Sequence, residues 1–421
     1  MNTKFDTIII GGGASGLISA IVATRKGEKT LLIEKMPQLG MKLRITGKGR
    51  CNITNTLPLK EFILHCGSEP RFLYPAFNLF FNKELIKFLE DLGLKTQVER
   101  GNRVFPQSER ALDVFLALVS PLEASSLCKI IKNTSVTRIL KEENKVCGVE
   151  VIDKNISKKQ KYFADKIILA AGGESYPQTG SNGGGVKLAQ DLGHTIIKTY
   201  PSLVGFKLDN YNPSQESNDF EIKNVSLSVT TLTRKKIFQD FGDVVFRNDG
   251  IDGPIVLKAS RNVTTLLHKD DPLNVVVDFK PKVEKKQLEE EILQTFSLRG
   301  KENIEDVLRA FIPKELIPLL ENNTNVDIHK QASLLFARER KEILSFLKQL
   351  TFQTTSTFGF DRAISTQGGV SLKEINPKTL QSKIVKGLYF AGEVMDLDAD
   401  TGGFNLQIAF STGYLAGLTN E

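Results

Sequence analysis

No run of about 18 apolar residues, the length a bilayer-spanning helix needs, occurs in the chain. The opening Met1-Asn2-Thr3-Lys4 passes straight into a strand-like stretch without the order of a secretion signal. A cytoplasmic protein that does not engage a membrane is the expectation. Cysteine is scarce. Cys51, Cys66, Cys128 and Cys147 show no close pairing, which argues against a disulfide framework, a zinc site and a dithiol redox centre. The four histidines, His65, His194, His268 and His329, never stand at metal-ligand spacing, so no metal is expected. A dense basic run interleaved with aromatics is also missing. The formal charge of +7, from 56 Lys and Arg against 49 Asp and Glu, therefore reads as a solvated lysine-rich surface rather than a nucleic-acid face. Internal repeats and low-complexity tracts are absent.

The 421 residues are enough for two or three hydrophobic cores. Residues 5–10 read as a short buried strand, 14–26 as a helix and 30–34 as a second strand, a βαβ unit of ordinary size. Helical spacing predicts helices over 84–92 and 109–122, and β-branched patterning predicts strands over 136–139, 146–152 and 162–171. From 201 to about 279 the pattern becomes strand-like with turn signals at Asn248-Asp249-Gly250 and Asp252-Gly253-Pro254, which reads as an all-β insert. The period turns helical from 284 to 350, and α/β character returns after Gly359 with a last strand over 387–392 and a Gly-bounded helix. The division expected is 1–200, 201–280, 281–350 and 351–421. The fold class expected is α/β, with a two-part Rossmann-like dinucleotide domain interrupted by a β-barrel-like domain and a small helical one.

The strongest local signal is Gly11-x-Gly13-x-x-Gly16 between strand and helix, with Glu34 ending the next strand 18 residues beyond Gly16. Gly11 permits the tight turn, Gly13 lets the backbone approach a pyrophosphate, and Gly16 lets the helix pack closely on the strand. The first-turn N–H groups, those of Ala14 and Ser15 among them, stabilise phosphate charge, and Glu34 suits ribose hydroxyls. FAD and NAD share this fingerprint, and three further segments favour FAD. Residues 40–55 are dense in glycine, cations and small polar groups, including Lys42, Arg44, Gly49, Arg50, Cys51 and Asn52, and can follow an extended ligand beyond its pyrophosphate. A strand ending in Ala170-Ala171-Gly172-Gly173 permits close approach to a planar ligand, and Gly183, Gly184 and Gly185 follow before a helix. Near the end, Gly402 and Gly403 precede a helix whose N-terminus could face the pyrimidine end of a flavin, where reduction places negative charge.

Taken together, the sequence resembles the BaiN/YhiN-like NAD(P)/FAD-dependent oxidoreductases, also labelled aminoacetone-oxidase-family flavoproteins. The motifs carrying the resemblance are residues 11–16, the Lys42-Leu43-x-x-Thr46-Gly47-x-Gly49-Arg50-Cys51-Asn52-x-Thr54-Asn55 loop, Arg103-Val104-Phe105-Pro106 with Ser108, residues 172–180, Gly253-Pro254 and residues 401–407. The resemblance implies FAD contacts from Ser15, Glu34, Lys35, Lys42, Arg44, Asn52, the backbone at Val136, Gly392, Glu393, Asp398, Asn405 and Leu406. Gly184 stands where the family often carries an acid. The activity implied is hydride transfer between a small organic substrate and flavin, with NAD(P)H or oxygen closing the cycle. Arg50, Arg103 and Arg362 are candidate anion-binding groups, and the Tyr176 phenol is a candidate proton donor. A flavin-dependent tRNA-modifying protein and a non-catalytic flavin-binding redox protein are the alternatives.

Overall fold

The computed structural model describes residues 4–67, 69–153, 156–209, 211, 219–267 and 272–419. His268 lies outside them. The chain forms two compact units, 1–201 with 363–421, and 202–362.

At the centre of the first unit is a five-stranded parallel sheet in the order Leu388–Phe390, Lys166–Leu169, Thr7–Ile10, Thr30–Ile33, Cys128–Ile131. The strands Thr7–Ile10, Thr30–Ile33, Lys166–Leu169 and Leu388–Phe390 are buried throughout, as expected for a parallel sheet covered on both faces. The expected strand over 162–171 is two strands. Lys158–Phe163 completes an antiparallel meander with Thr134–Glu142 and Lys145–Asp153, whereas Lys166–Leu169 joins the parallel sheet. A continuous β-patterned run cannot show that its halves belong to different sheets.

The first and last parts of the chain are joined by glycine. Helix Phe404–Leu418 packs along helix Ala14–Arg25. A side chain at Gly413 would meet Ser15 O at 2.4 Å, and one at Gly417 would meet Ser19 O at 2.7 Å. Ser19 Oγ seals the crossing by donating to Ser15 O or Gly413 O, each 2.8 Å away. Backbones approach this closely only where no Cβ intervenes. At the far end, Lys26 donates to Leu418 O, and Lys166 donates to Gly417 O and Thr419 O, answering carbonyls that the helix terminus leaves unbonded.

The second unit is a closed barrel of six strands, Phe206–Asp209, Gly250–Asp252, Lys236–Arg247, Phe220–Thr231, Leu273–Asp278 and Leu350–Thr357. Two differences from the sequence reading stand out. Helix Pro254–Leu267 lies within the stretch expected to be all-β, burying Ile255, Val256, Ala259, Val263 and Leu267 on one face. Gly253-Pro254 reads in sequence as a turn, but proline also suits the first helical position, where its missing N–H costs nothing. The strand Leu350–Thr357, assigned by the division at 350 to the returning segment, closes the barrel through antiparallel pairing with Leu273–Asp278 and Phe206–Asp209. The helices over 285–349 share one hydrophobic core with the barrel, including Leu288, Ile292, Ile343 and Leu347 beside Val275 and Val277.

Candidate functional site

Within the first unit the glycine fingerprint behaves as its spacing requires. Gly11 has φ 106°, and a Cβ there would lie 2.5 Å from Ala170 O. A Cβ on Gly16 would fall 1.9 Å from Gly11 O, so the helix can start against the strand only with glycine at this position. A Cβ on Gly13 would meet nothing within 4 Å, which leaves open space at the helix N-terminus. No side chain caps that terminus, and no acidic residue occupies its first turn. Glu34 accepts hydrogen bonds from Gly12 N and Met36 N, both 2.8 Å, which orients its carboxylate beside the turn.

The final helix begins in the same way. Its N-cap, Gly403, is left-handed at φ 95°, has no side-chain cap and lies against the backbone of Thr54, where a Cβ would stand 2.4 Å from Thr54 O. Gln407, fully buried, accepts from Thr54 Oγ1 and donates to Ser411 Oγ, so the 54–55 segment and the helix start are tied together. The Asn405 side chain is engaged by the preceding loop, accepting from Ala399 N and donating to Ala399 O and Asp400 O. Its backbone N–H, with those of Phe404 and Leu406, is what this terminus presents to a ligand. Gly392 meets Ser15, whose Oγ would be 2.7 Å from a Cβ there.

A polar cluster centres on Glu393. Its Oε2 accepts from Lys42 Nζ at 2.8 Å and from Gly173 N at 3.4 Å, and its Oε1 accepts from Ser175 Oγ at 3.2 Å, Ser365 Oγ at 3.1 Å and Thr366 N at 2.8 Å. Lys42 also donates to Ser175 Oγ at 2.7 Å. Burial by itself raises the pKa of Glu393, but the Lys42 ammonium and these donors outweigh it and hold the carboxyl below its ordinary range. The backbone strains near this cluster, since Tyr176 adopts φ 52°, an uncommon conformation for a bulky side chain.

Other expected residues fall as follows. Lys35 Nζ donates to Asn182 Oδ1 at 2.5 Å, and Gly180 packs against Met36 and Lys35, bringing the second glycine cluster to the end of strand Thr30–Ile33. Arg44 bonds Gln38 and covers the Phe115 ring. Residues 41–45 of the expected loop form a short helix, Met41–Ile45. The Gly49 carbonyl accepts from Ala111 N. Cys51 is buried at φ 62°, and burial pushes its thiol up to about 12, which leaves it inert. Asn52 Oδ1 is buried without a hydrogen-bond partner. Val136 sits in strand Thr134–Glu142, whose first residue donates to Glu34 O. Gly172 has φ 72° and lies 3.0 Å from Ser181 Oγ by its Cβ position, and Asp398 is buried.

Each of the three candidate arginines already has a partner. Arg50 is ion-paired with Glu99 and Glu109 and stacked over Phe105, so its charge is already answered. Arg103 donates to Arg100 O and lies over the same ring. Arg362 belongs to the second unit, where it pairs with Asp249 at 2.7 Å over the Phe358 ring. Ion-pair partners distant in sequence, such as Glu99 for Arg50, are invisible to motif reading.

One arrangement escaped the sequence altogether. His65 Nδ1 lies 2.9 Å from Asp400 Oδ2, and its ring stacks on Phe404, the first residue of the final helix, at 4.4 Å and 22°. The two residues stand 335 apart in the chain, and no spacing rule connects them. A second histidine, His194, is wholly buried between Glu374 (3.2 Å) and Ser382 Oγ (2.9 Å). This has the order of a hydrolytic triad, but Ser382 Oγ already accepts from Ile384 N and Val385 N, and burial lowers the histidine pKa against the pull of Glu374. It pins two loops together. Among the described residues, no group of three or more His, Cys, Asp or Glu could hold a metal ion, and no helix is long and apolar enough to cross a membrane.

The residues present fit a dinucleotide such as FAD. Two helix N-termini without side-chain caps and the unpartnered Asn52 Oδ1 offer hydrogen-bonding groups to a ligand, and the open space at Gly13 gives it room. Comparison with known proteins agrees. Residues 5–419 match the family model described as HI0933-like protein Rossmann domain. The chain is 31% identical to the 3-dehydro-bile acid delta(4,6)-reductase of Clostridium scindens, covering 97% of each. It is 28% identical to the ribosomal RNA dihydrouridine synthase of Haemophilus influenzae, covering 100% of this chain and 99% of that one. The solved 3-ketosteroid-delta4-(5alpha)-dehydrogenase of Rhodococcus jostii RHA1 shares the fold at a TM-score of 0.50 and 15% identity, over 99% of this chain and 96% of that one.

Proposed function

Because the chain belongs to the HI0933-like Rossmann family and is an FAD-dependent oxidoreductase, we propose that it reduces a carbon–carbon double bond conjugated to a carbonyl in a small organic substrate, with NAD(P)H as the electron source. Oxygen is the alternative acceptor that would close the cycle in an oxidative direction. The observation that carries this reading is the full-length similarity to two proteins whose names describe one chemistry. A delta(4,6)-reductase acting on a 3-dehydro compound and an enzyme that makes dihydrouridine both add two hydrogens across a double bond near a carbonyl.

When bound, FAD supplies hydride chemistry, and the protein's task is to hold and orient. Ala14 and Ser15 N–H groups at the first helix would take the pyrophosphate, Glu34 the ribose, and Lys35 and the Val136 backbone the adenosine end. Gly49, Cys51 and Asn52, with Arg44 nearby, would line the middle of the ligand, and Gly172 would allow a flat ring close to the backbone. Gly392, Glu393 and Asp398 would border the flavin, while the Phe404, Asn405 and Leu406 N–H groups at the Gly403 terminus would stabilise charge on its pyrimidine side. Lys42, held by Glu393 and Ser175, would place a fixed ammonium at this centre. Tyr176 is the candidate to donate a hydrogen bond to the substrate carbonyl. Arg50, Arg103 and Arg362 are secondary candidates for an anionic substrate, since each already has a partner.

The test is anaerobic reduction of the FAD-loaded protein by NADH or NADPH, followed by reoxidation with cyclohexenone, 4-androstene-3,17-dione, a simple amine and uridine. Reoxidation by the conjugated carbonyl compounds and not the amine is expected. A flavin that no pyridine nucleotide reduces, or one reoxidised by the amine alone, would overturn the reading. A second reading places the double bond in a uracil of RNA, rRNA or tRNA, and is favoured by the similarity to the Haemophilus protein. It requires RNA affinity that falls steeply with salt, as phosphate neutralisation dictates.

A further inference from the structure

From the geometry around the final helix, we propose that His65 is the acid that delivers the second hydrogen of this reduction, as a proton, with Asp400 as its orienting partner. The inference rests on the proposed double-bond reduction and adds a residue to it. Segment 65–67 pairs with 398–400 as a short antiparallel strip, through Asp400 N to His65 O (2.9 Å), Gly67 N to Asp398 O (2.7 Å) and the Cys66–Ala399 bridge. Asn405 fixes the same strip to the helix from the other side. His65 is thus carried on backbone that is itself locked to the N-terminus proposed to face the flavin ring. Its ring lies flat on Phe404, and Phe404 is in turn held by Phe62 at 4.6 Å. A solvent-facing histidine that served only to cover an apolar ring would need no carboxylate on Nδ1.

The chemistry matches the placement. With Nδ1 engaged by Asp400, Nε2 is the nitrogen that would deliver the proton. The side chain is 36% exposed and Asp400 14%, so water can reload the imidazole while the carboxylate stays largely sheltered. In the step, the carbon–carbon π bond breaks and two C–H bonds form. FAD, when bound and reduced, would supply the electron pair as hydride to one carbon, and the His65 Nε2–H bond would break to give its proton to the other. Neutral imidazole remains and takes a proton from solvent. Tyr176 keeps its proton and only polarises the carbonyl.

Two measurements test this. With only four histidines in the chain, ¹⁵N-histidine labelling resolves His65 in the FAD-loaded protein. Its titration midpoint should rise by about half a unit or more when dithionite reduces the flavin, because negative charge appears nearby. A midpoint indifferent to flavin oxidation state would overturn the proposal, and does so without any substrate. In rapid mixing with cyclohexenone, H65Q should keep wild-type reduction by NAD(P)H but lose about 10²–10⁴-fold in reoxidation, together with the limb of the pH profile that wild type shows. Y176F should slow reoxidation and keep that limb. H65Q reoxidising at the wild-type rate would sink the assignment. Should H65Q fail to fold, D400N replaces it, with the same limb expected at lower pH and an unmoved limb counting against the pair. Should no conjugated carbonyl compound reoxidise wild type, the proposed reaction fails, and the titration of His65 still decides whether it answers to the flavin.

Discussion

Replacing Lys42 by Met removes the ammonium paired with Glu393 and leaves the carboxylate with neutral donors. Breaking a fully buried pair costs about 3–5 kcal/mol, because the surviving charge stays desolvated. Here the side chains are 27% and 20% exposed, and four other donors remain, so about 2 kcal/mol is expected. For a unit of this size that is a fall of about 4–8 °C in the Tm of the cofactor-free protein. Differential scanning calorimetry of apoprotein, wild type against K42M, reads it directly. The pH dependence has a definite sign. The folded pKa of Glu393 lies below its ordinary 4.5, so the stability it contributes is complete above that value and disappears as pH falls through the folded pKa. The K42M deficit should therefore hold near neutrality and shrink below about pH 4.5. In K42M/E393Q both charges are gone, and at least half the loss should return. Equal melting of wild type and K42M, or strict additivity of K42M and E393Q, would refute the claim that this ion pair organises the site.

Gly403→Ala forces a Cβ to 2.4 Å from Thr54 O at φ 95°, and should lower stability by about 2 kcal/mol or more and weaken FAD binding, read by calorimetry and flavin titration. Tyr176→Gly relieves a left-handed backbone and should raise apoprotein Tm slightly, by about 1 kcal/mol equivalent, while lowering turnover; a fall in Tm would mean that the side chain's packing outweighs its strain. Burial brings the Lys166 pKa down to about 8, against the pull of Glu28. Between about pH 8 and its unfolded 10.5 the unfolded chain binds the extra proton, so this lysine's contribution to stability should improve as pH rises, and urea titrations of wild type minus K166M should show that slope. Cys51 should resist Ellman's reagent at pH 8 in native protein and react at once in guanidinium; fast native labelling would contradict its burial.

Local sequence specifies the part of the molecule built from neighbours. Gly11, Gly13, Gly16 and Glu34 lie within one βαβ unit, where steric demands on backbone and helix start act over a few residues, and their spacing alone predicts the open, uncapped terminus at Gly13. The switch from α/β to strand-like to helical patterning is legible for the same reason, since hydrophobic period reflects which face of each element is buried. Long-range folding supplies everything that depends on distant partners. It places Leu350–Thr357 in the barrel, neutralises Arg50 with Glu99 and Glu109, and sets Arg362 against Asp249. It gathers Lys42, Ser175, Thr366 and Glu393 into one cluster and lays His65 on Phe404 beside Asp400. Such meetings are selected by packing and charge between residues far apart in the chain, and a carboxylate's position in sequence carries no record of the cation it will face.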